Sequence, residues 1–259
     1  MSAASIALQM AAAVLVLSAA VLATEDIVRG SMITHHSLHP PYIADWWQEG
    51  IPHWEMGGDA VATDSFVRLT PQKQSRYGWI WNQQPNENPN WELRMKFAVF
   101  GKRAPGADGL ALWYVAESYR QHGGNLFGNK PDFKGIGLLF DTYDNDGLRD
   151  NPSVSLVVNL DGSKTNWDHD RDFLGDATFR CNFDFRHSTV EDPVEAVLQY
   201  YNKRLTLKLR MARRGVDVNC GDTLLELPIG HYFGATASTG GMVDNHDIIS
   251  IEVRGLGED

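Results

Sequence analysis

The stretch Trp91-Glu92-Leu93-Arg94-Met95-Lys96-Phe97 decides the fold class, because its odd positions are apolar and its even positions charged. Alternation with a period of two sets one side of an extended chain against a core and the other in water, as in a half-buried strand. Working outward, Gly109–Glu117, Lys134–Asp141 and Ser153–Asn159 are short apolar runs of strand length bounded by Gly, Pro, Asn and Asp. Val197–Arg210 reads as a hairpin turning near Asn202-Lys203, and Asp247–Val253 as a closing strand. No window of helix length holds an apolar stripe at a 3.6-residue spacing. Many short strands divided by turn residues predict an all-β fold, an antiparallel β-sandwich. There is no repeat and no low-complexity tract.

The chain has 259 residues, 43% of them apolar, which is enough for one large sandwich with a sizeable core. Its formal charge of −10 makes nucleic acid and anionic membrane poor partners, since phosphates and acidic lipids attract basic surfaces. From Ser2 to Thr24 no side chain is charged, and Met10–Leu22 is a compact apolar run ending at Val21-Leu22-Ala23. Small residues at 21 and 23 predict a signal peptide over 1–23, cleaved after Ala23, with an uncleaved anchor as the alternative. Thr24–Thr34 is expected to be a linker and 35–256 the folded domain. No second apolar run of spanning length follows. On the secretory route the two cysteines, Cys181 and Cys220, meet an oxidising lumen that favours a bridge, the alternative being two buried thiols.

The segment Asp141-Thr142-Tyr143-Asp144-Asn145-Asp146-Gly147, continuing to Asp150-Asn151, follows an apolar strand and is dense in hard oxygen donors. Calcium takes six to eight such oxygens. An EF-hand is excluded, because the twelfth position from Asp144 is Ser155 and the flanks are strands. A second acidic loop, Asp168-His169-Asp170-Arg171-Asp172, lies beyond the next strand, so the two can converge at one end of a sandwich. The competing explanation is a pair of solvated turns, in which Asp and Asn are common anyway. Three further stretches carry weaker signals. Gly106-Ala107-Asp108-Gly109 sets one carboxylate between glycines. Thr239-Gly240-Gly241-Met242 exposes backbone N–H groups. Val243-Asp244-Asn245-His246-Asp247 reads as capping at the start of the last strand.

Six motifs together resemble the L-type, legume-like lectins of the early secretory pathway, the group of ERGIC-53 and VIP36. They are GADGLALWY at 106–114, FGN at 127–129, FDTYDNDG at 140–147, WDHDRD at 167–172, HYFGATASTGG at 231–241 and DNHDIIS at 244–250. Trp54, Trp81 and Trp91 also match. The resemblance covers about 35 to 256. It implies a concanavalin-like jelly roll, a Cys181–Cys220 bridge and a cis peptide before Asp108. It implies one calcium held by Asp141, Asp172, the Tyr143 carbonyl and Asn145. The ERGIC-53 branch, which the DNDG loop resembles more, adds a second calcium at Asp144, Asp146 and Asn151, with Asp172 shared and Asp150 a further candidate. Mannose would contact Ser75, Asp108, Asn145, His169 and the backbone of Gly240, Gly241 and Met242.

A sugar hydroxyl both donates and accepts, so a carboxylate beside amide donors suits it. The expected function is therefore calcium-dependent binding of high-mannose N-glycans on glycoproteins, in cargo sorting or quality control in the endoplasmic reticulum, the ER–Golgi intermediate compartment or the Golgi, or after secretion. His169 is a candidate pH switch. Two alternatives stand beside this: a glycoside hydrolase on the same sandwich and a protein-interaction module without a glycan site. Hydrolysis needs two carboxyls facing each other across a cleft, and the strand acids Glu92, Glu117 and Glu252 stand alone. No Ser-His-Asp elbow, phosphate loop or cysteine-rich zinc motif occurs.

Overall fold

A computed structural model describes residues 28–43, 50–102, 104–121 and 124–257. The expected signal peptide and the aromatic run Asp45-Trp46-Trp47-Gln48 lie outside them. The strands are β1 (Val28–Met32), β2 (Trp54–Gly58), β3 (Val61–Ala62), β4 (Val67–Thr70), β5 (Arg76–Asn82), β6 (Trp91–Phe100), β7 (Gly109–Val115) and β8 (Gly135–Asp141). They continue with β9 (Ser153–Asn159), β10 (Phe179–Asn182), β11 (Val194–Tyr201), β12 (Arg204–Met211), β13 (Val216–Leu224), β14 (Tyr232–Thr239) and β15 (Asn245–Gly257).

Two antiparallel sheets face each other. One runs β13-β12-β11-β6-β15-β4-β3 with β1 added on β15, and the other β10-β9-β8-β7-β14-β5-β2. The alternation in β6 is realised: Trp91, Leu93, Met95, Phe97 and Val99 point into the core between the sheets. Asn202 and Lys203 turn the β11–β12 hairpin at positive φ, as a tight two-residue connection requires. Val28–Met32 falls in the stretch expected as a linker, yet it is paired with β15. Its side chains are all exposed, so backbone pairing rather than an apolar face holds it, and alternation could not reveal it.

β7 and β8 are buried on both faces. Their outer face carries a second cluster built on Trp79, Trp81, Trp113, Phe133, Trp167 and Phe173. Phe133 stacks on Trp167 at 5.4 Å and Phe127 contacts Phe173 at 5.7 Å between ring centroids. These rings belong to the loops before β8 and after β9, so the cluster clamps those loops onto the sheet. A Cβ at Gly137 would lie 2.3 Å from the Trp113 ring, which is why glycine stands there. Cys181 on β10 and Cys220 on β13 form a disulfide, which joins the edge strands of opposite sheets.

Candidate calcium and carbohydrate site

The site is built where β7, β8 and β14 end on one rim. β8 delivers Asp141 as its last residue, paired with Gly109 at the start of β7. Asp108 immediately precedes that strand and its peptide bond to Ala107 is cis. The N–H of Thr142 donates to the Asp108 carbonyl at 3.0 Å, and the Asp108 N–H to the Ser238 carbonyl at 3.2 Å. Backbone pairing alone thus brings the two expected acids side by side.

Asp108, Asp141, Tyr143, Asn145 and His169 line one cavity of about 120 Å³, together with Asn125, Phe127, Phe173 and Ser238. Gly240 reaches it through its N–H, which donates to Asp108 Oδ1 at 3.1 Å. Ser238 Oγ lies 3.4 Å from Asp108 Oδ2. The other expected sugar contacts stand apart from the cavity lining. The Ser75 N–H donates to the Gly240 carbonyl at 3.2 Å, and Gly241 and Met242 line a neighbouring cavity. Asn125 and Phe127 were not among the expected contacts. Phe127 falls inside the FGN motif, but nothing in the spacing pointed Asn125 at the site.

The two acidic loops meet. The Asn145 N–H donates to both carboxylate oxygens of Asp172, at 3.0 and 3.2 Å. One carboxylate oxygen from each of Asp144, Asp146, Asp150 and Asp172 lies within 4.8 Å of the others. Burial, reinforced by Asp172, holds the Asp141 carboxyl well above its ordinary range. Burial pushes Asp172 up to about 6. Two mutually repelling carboxylates, Asp141 only 4% exposed and Asp172 fully buried, favour a cation between them. The donors are oxygens alone, the set a hard divalent ion takes. The acids whose oxygens converge are Asp144, Asp146, Asp150 and Asp172, a set that suits calcium, while Asp141, Tyr143 and Asn145, expected as ligands together with Asp172, line the adjoining cavity. Asp150 is different: Arg180 clasps it at 2.7 and 3.2 Å and also donates to Asn151 Oδ1 at 2.9 Å. Asn151 in turn donates to the Tyr143 carbonyl. Arg180 lies 30 residues from Asp150 and gave no signal in the sequence.

His169 packs edge-on against Phe173, and its Nε2 is buried without a partner among the described residues. Burial holds its imidazole below the ordinary value, so it is neutral near neutral pH and can still donate or accept. Burial raises Asp108, against the pull of the Gly240 N–H and the Ser238 hydroxyl.

Beneath the rim lies an ion pair that sequence reasoning took for strand capping. Asp244 accepts two bonds from Arg186, each 2.9 Å, with both side chains buried. The loop bearing Asp108 rests on this pair: a Cβ at Gly106 would lie 1.9 Å from Asp244 and 2.3 Å from Arg186. Since Asp244 also ends the 240–243 loop, one pair supports both the acceptor and the donor side of the cavity.

The sequence profile of the legume-like lectin family matches residues 29–258. Vesicular integral-membrane protein VIP36 of Homo sapiens is 38% identical over 238 residues, covering 89% of this chain and 65% of that one. Protein ERGIC-53 of Mus musculus is 33% identical over 207 residues, covering 77% of this chain and 38% of that one. The chain thus spans less than two thirds of these relatives. Among solved structures, the calcium-bound VIP36 exoplasmic/lumenal domain superposes with a TM-score of 0.78 at 36% identity, over 88% of this chain and 93% of that one. A Ca2+/Man2-bound form of the same domain matches equally, covering 90% of its length. The carbohydrate recognition domain of Emp47p shares the fold, with a TM-score of 0.70 at 20% identity over 86% of this chain and 96% of that one.

Proposed function

The chain belongs to the legume-like lectin family, and on that premise we propose that it binds mannose-rich N-glycans in a calcium-dependent manner in the lumen of the secretory pathway. The observation that carries this is the shared cavity, in which the sugar-binding candidates Asp108, Asn145 and His169 stand beside the metal candidates Asp141 and Tyr143. Calcium at Asp141, Asp172, the Tyr143 carbonyl and the Asn145 side chain would fix the Asn145 amide, leaving its nitrogen to donate to a hydroxyl. Asp108, oriented by the Gly240 N–H, accepts from the sugar, and His169 Nε2, which has no hydrogen-bond partner among the described residues, is left to bond a hydroxyl. That the related VIP36 domain is solved with calcium and Man2 supports the assignment.

A second ion would use Asp144, Asp146, Asn151 and shared Asp172, with Asp150 already satisfied by Arg180. The unit begins with β1, and Ser75, Gly241 and Met242 act on sugar units beyond the first. The role is recognition without catalysis. With Asp141 committed to calcium, Asp108 is left as one carboxylate, and glycoside hydrolysis takes two. Each single sugar binds weakly, because polar contacts gain little over water, so sorting or quality control of glycoproteins draws on branched glycans.

A glycan array in calcium and in chelator tests this. Retention of high-mannose glycans in calcium alone is expected. Binding that ignores the chelator, or no glycan binding, would overturn it.

A further inference from the structure

The loop Gly240–Met242 borders two cavities of opposite charge. The first holds Asp108 and Asp141. The second, about 540 Å³, is lined by Gln72, Lys73, Gln74, Lys102, Pro105 and Met242, beside Gly241 and Val243. No carboxylate lines it, and neither lysine makes an ion pair among the described residues. In a chain of net charge −10, the charged side chains lining this cavity are both cationic, which favours an anionic ligand there.

The walls of this cavity are fixed. The Thr239 hydroxyl donates to the Lys73 carbonyl at 2.6 Å, Gln74 Nε2 to the Gly241 carbonyl at 2.8 Å and the Gln72 N–H to Asn245 Oδ1 at 2.8 Å. Those bonds stitch the β4–β5 loop to the β14–β15 loop, so Lys73 is anchored next to the segment whose Gly240 N–H meets Asp108. The volume is within the range of small-ligand sites, roughly 300–1,000 Å³.

We infer that this second cavity is a subsite for an anionic group carried by the sugar unit next to the one held at Asp108. This rests on the mannose reading of the first cavity. A phosphate monoester and a carboxylate share the needed chemistry. The phosphate, with about −1.5 to −2 charges at neutral pH, draws more from two ammonium groups.

Calorimetry on the calcium-loaded chain would compare α1,2-mannobiose with the same disaccharide bearing a phosphate monoester, and with one bearing a carboxylate, on its reducing unit. Two exposed ion pairs at low salt imply about three- to tenfold tighter binding of the phosphorylated sugar, a smaller gain for the carboxylate, and loss of both gains at high salt. The double variant Lys73→Gln, Lys102→Gln should lose the gain and keep its affinity for neutral mannobiose. Equal affinity for the neutral and phosphorylated sugars, or a gain that survives in the double variant, would overturn the subsite alone. If neutral mannobiose fails to bind, the mannose assignment falls and the subsite with it.

Discussion

Asp172 accepts the Asn145 N–H on both carboxylate oxygens, so the loops after β8 and after β9 are joined at the residue proposed to touch both calcium and sugar. Asp141 and Asp172 repel each other there, and calcium binding and stability are therefore coupled.

Replacing Asp141 by Asn should show this coupling as a change of sign. In chelator the variant is relieved of the repulsion between Asp141 and Asp172 and should melt at or above the wild type. In calcium the wild type should be the more stable, and the variant's calcium affinity should fall by more than the roughly 10–100-fold typical of losing an outer-shell partner. Thermal melts in both buffers check it; a variant that melts lower in chelator would contradict the repulsion.

The pH response follows from Asp172. Its carboxyl sits at about 6 in the calcium-free fold, above its unfolded value of about 3.9. For an acid raised by folding, the uncharged form is favoured, so the contribution of Asp172 to calcium-free stability is full below about pH 4 and is lost as pH rises through about 6. Calcium needs the carboxylate, so its apparent affinity should drop about tenfold per pH unit below 6 for each proton bound. Burial shifts the His169 imidazole towards its neutral form, which makes the carboxylates the proposed switch. Calcium titrations from pH 7.4 to 5 should give parallel slopes for wild type and His169→Ala; a slope that flattens in the variant would return the switch to His169.

The Arg186–Asp244 pair should separate the sugar from the metal. Asp244→Asn leaves Arg186 buried without its counter-charge, a loss of about 3–5 kcal/mol in stability. Below the new melting point, mannobiose affinity should fall while calcium affinity holds, because the pair supports the 106–108 and 240–243 loops and not the acidic ones. Equal losses of both would contradict it.

Cys181→Ser should lower stability by about 2–4 kcal/mol, the usual worth of a bridge closing a loop of this length. Denaturant melts read it directly, and an unchanged midpoint would mean that the two sheet edges are held together without the bridge.

How much was legible in the sequence depends on the range of the interaction. The alternation of Trp91–Phe97 survives because one side of β6 is wet, and the acidic loops because oxygen donors cluster within a few residues. Motif order placed Asp108 beside them, though 33 residues separate Asp108 from Asp141. Contacts without local pattern stayed hidden. Arg186 meets Asp244 across 58 residues and Arg180 meets Asp150 across 30. β1 is held by backbone pairing and by the Arg29–Glu92 ion pair across 63 residues, and Asn125 is carried to the cavity by a loop clamped through Phe127 and Phe133. Asp244 was misread as a cap because a buried counter-ion leaves no mark in its neighbours.

Titration of mannobiose into the calcium-loaded protein, and into the same protein after chelation, tests the central claim most directly. Binding that appears with calcium and vanishes without it, together with tighter calcium binding when the sugar is present, is the predicted result, since coupling between two sites is reciprocal. A mannobiose affinity that is the same in both samples would show that Asn145 and Asp108 need no metal to grip the sugar.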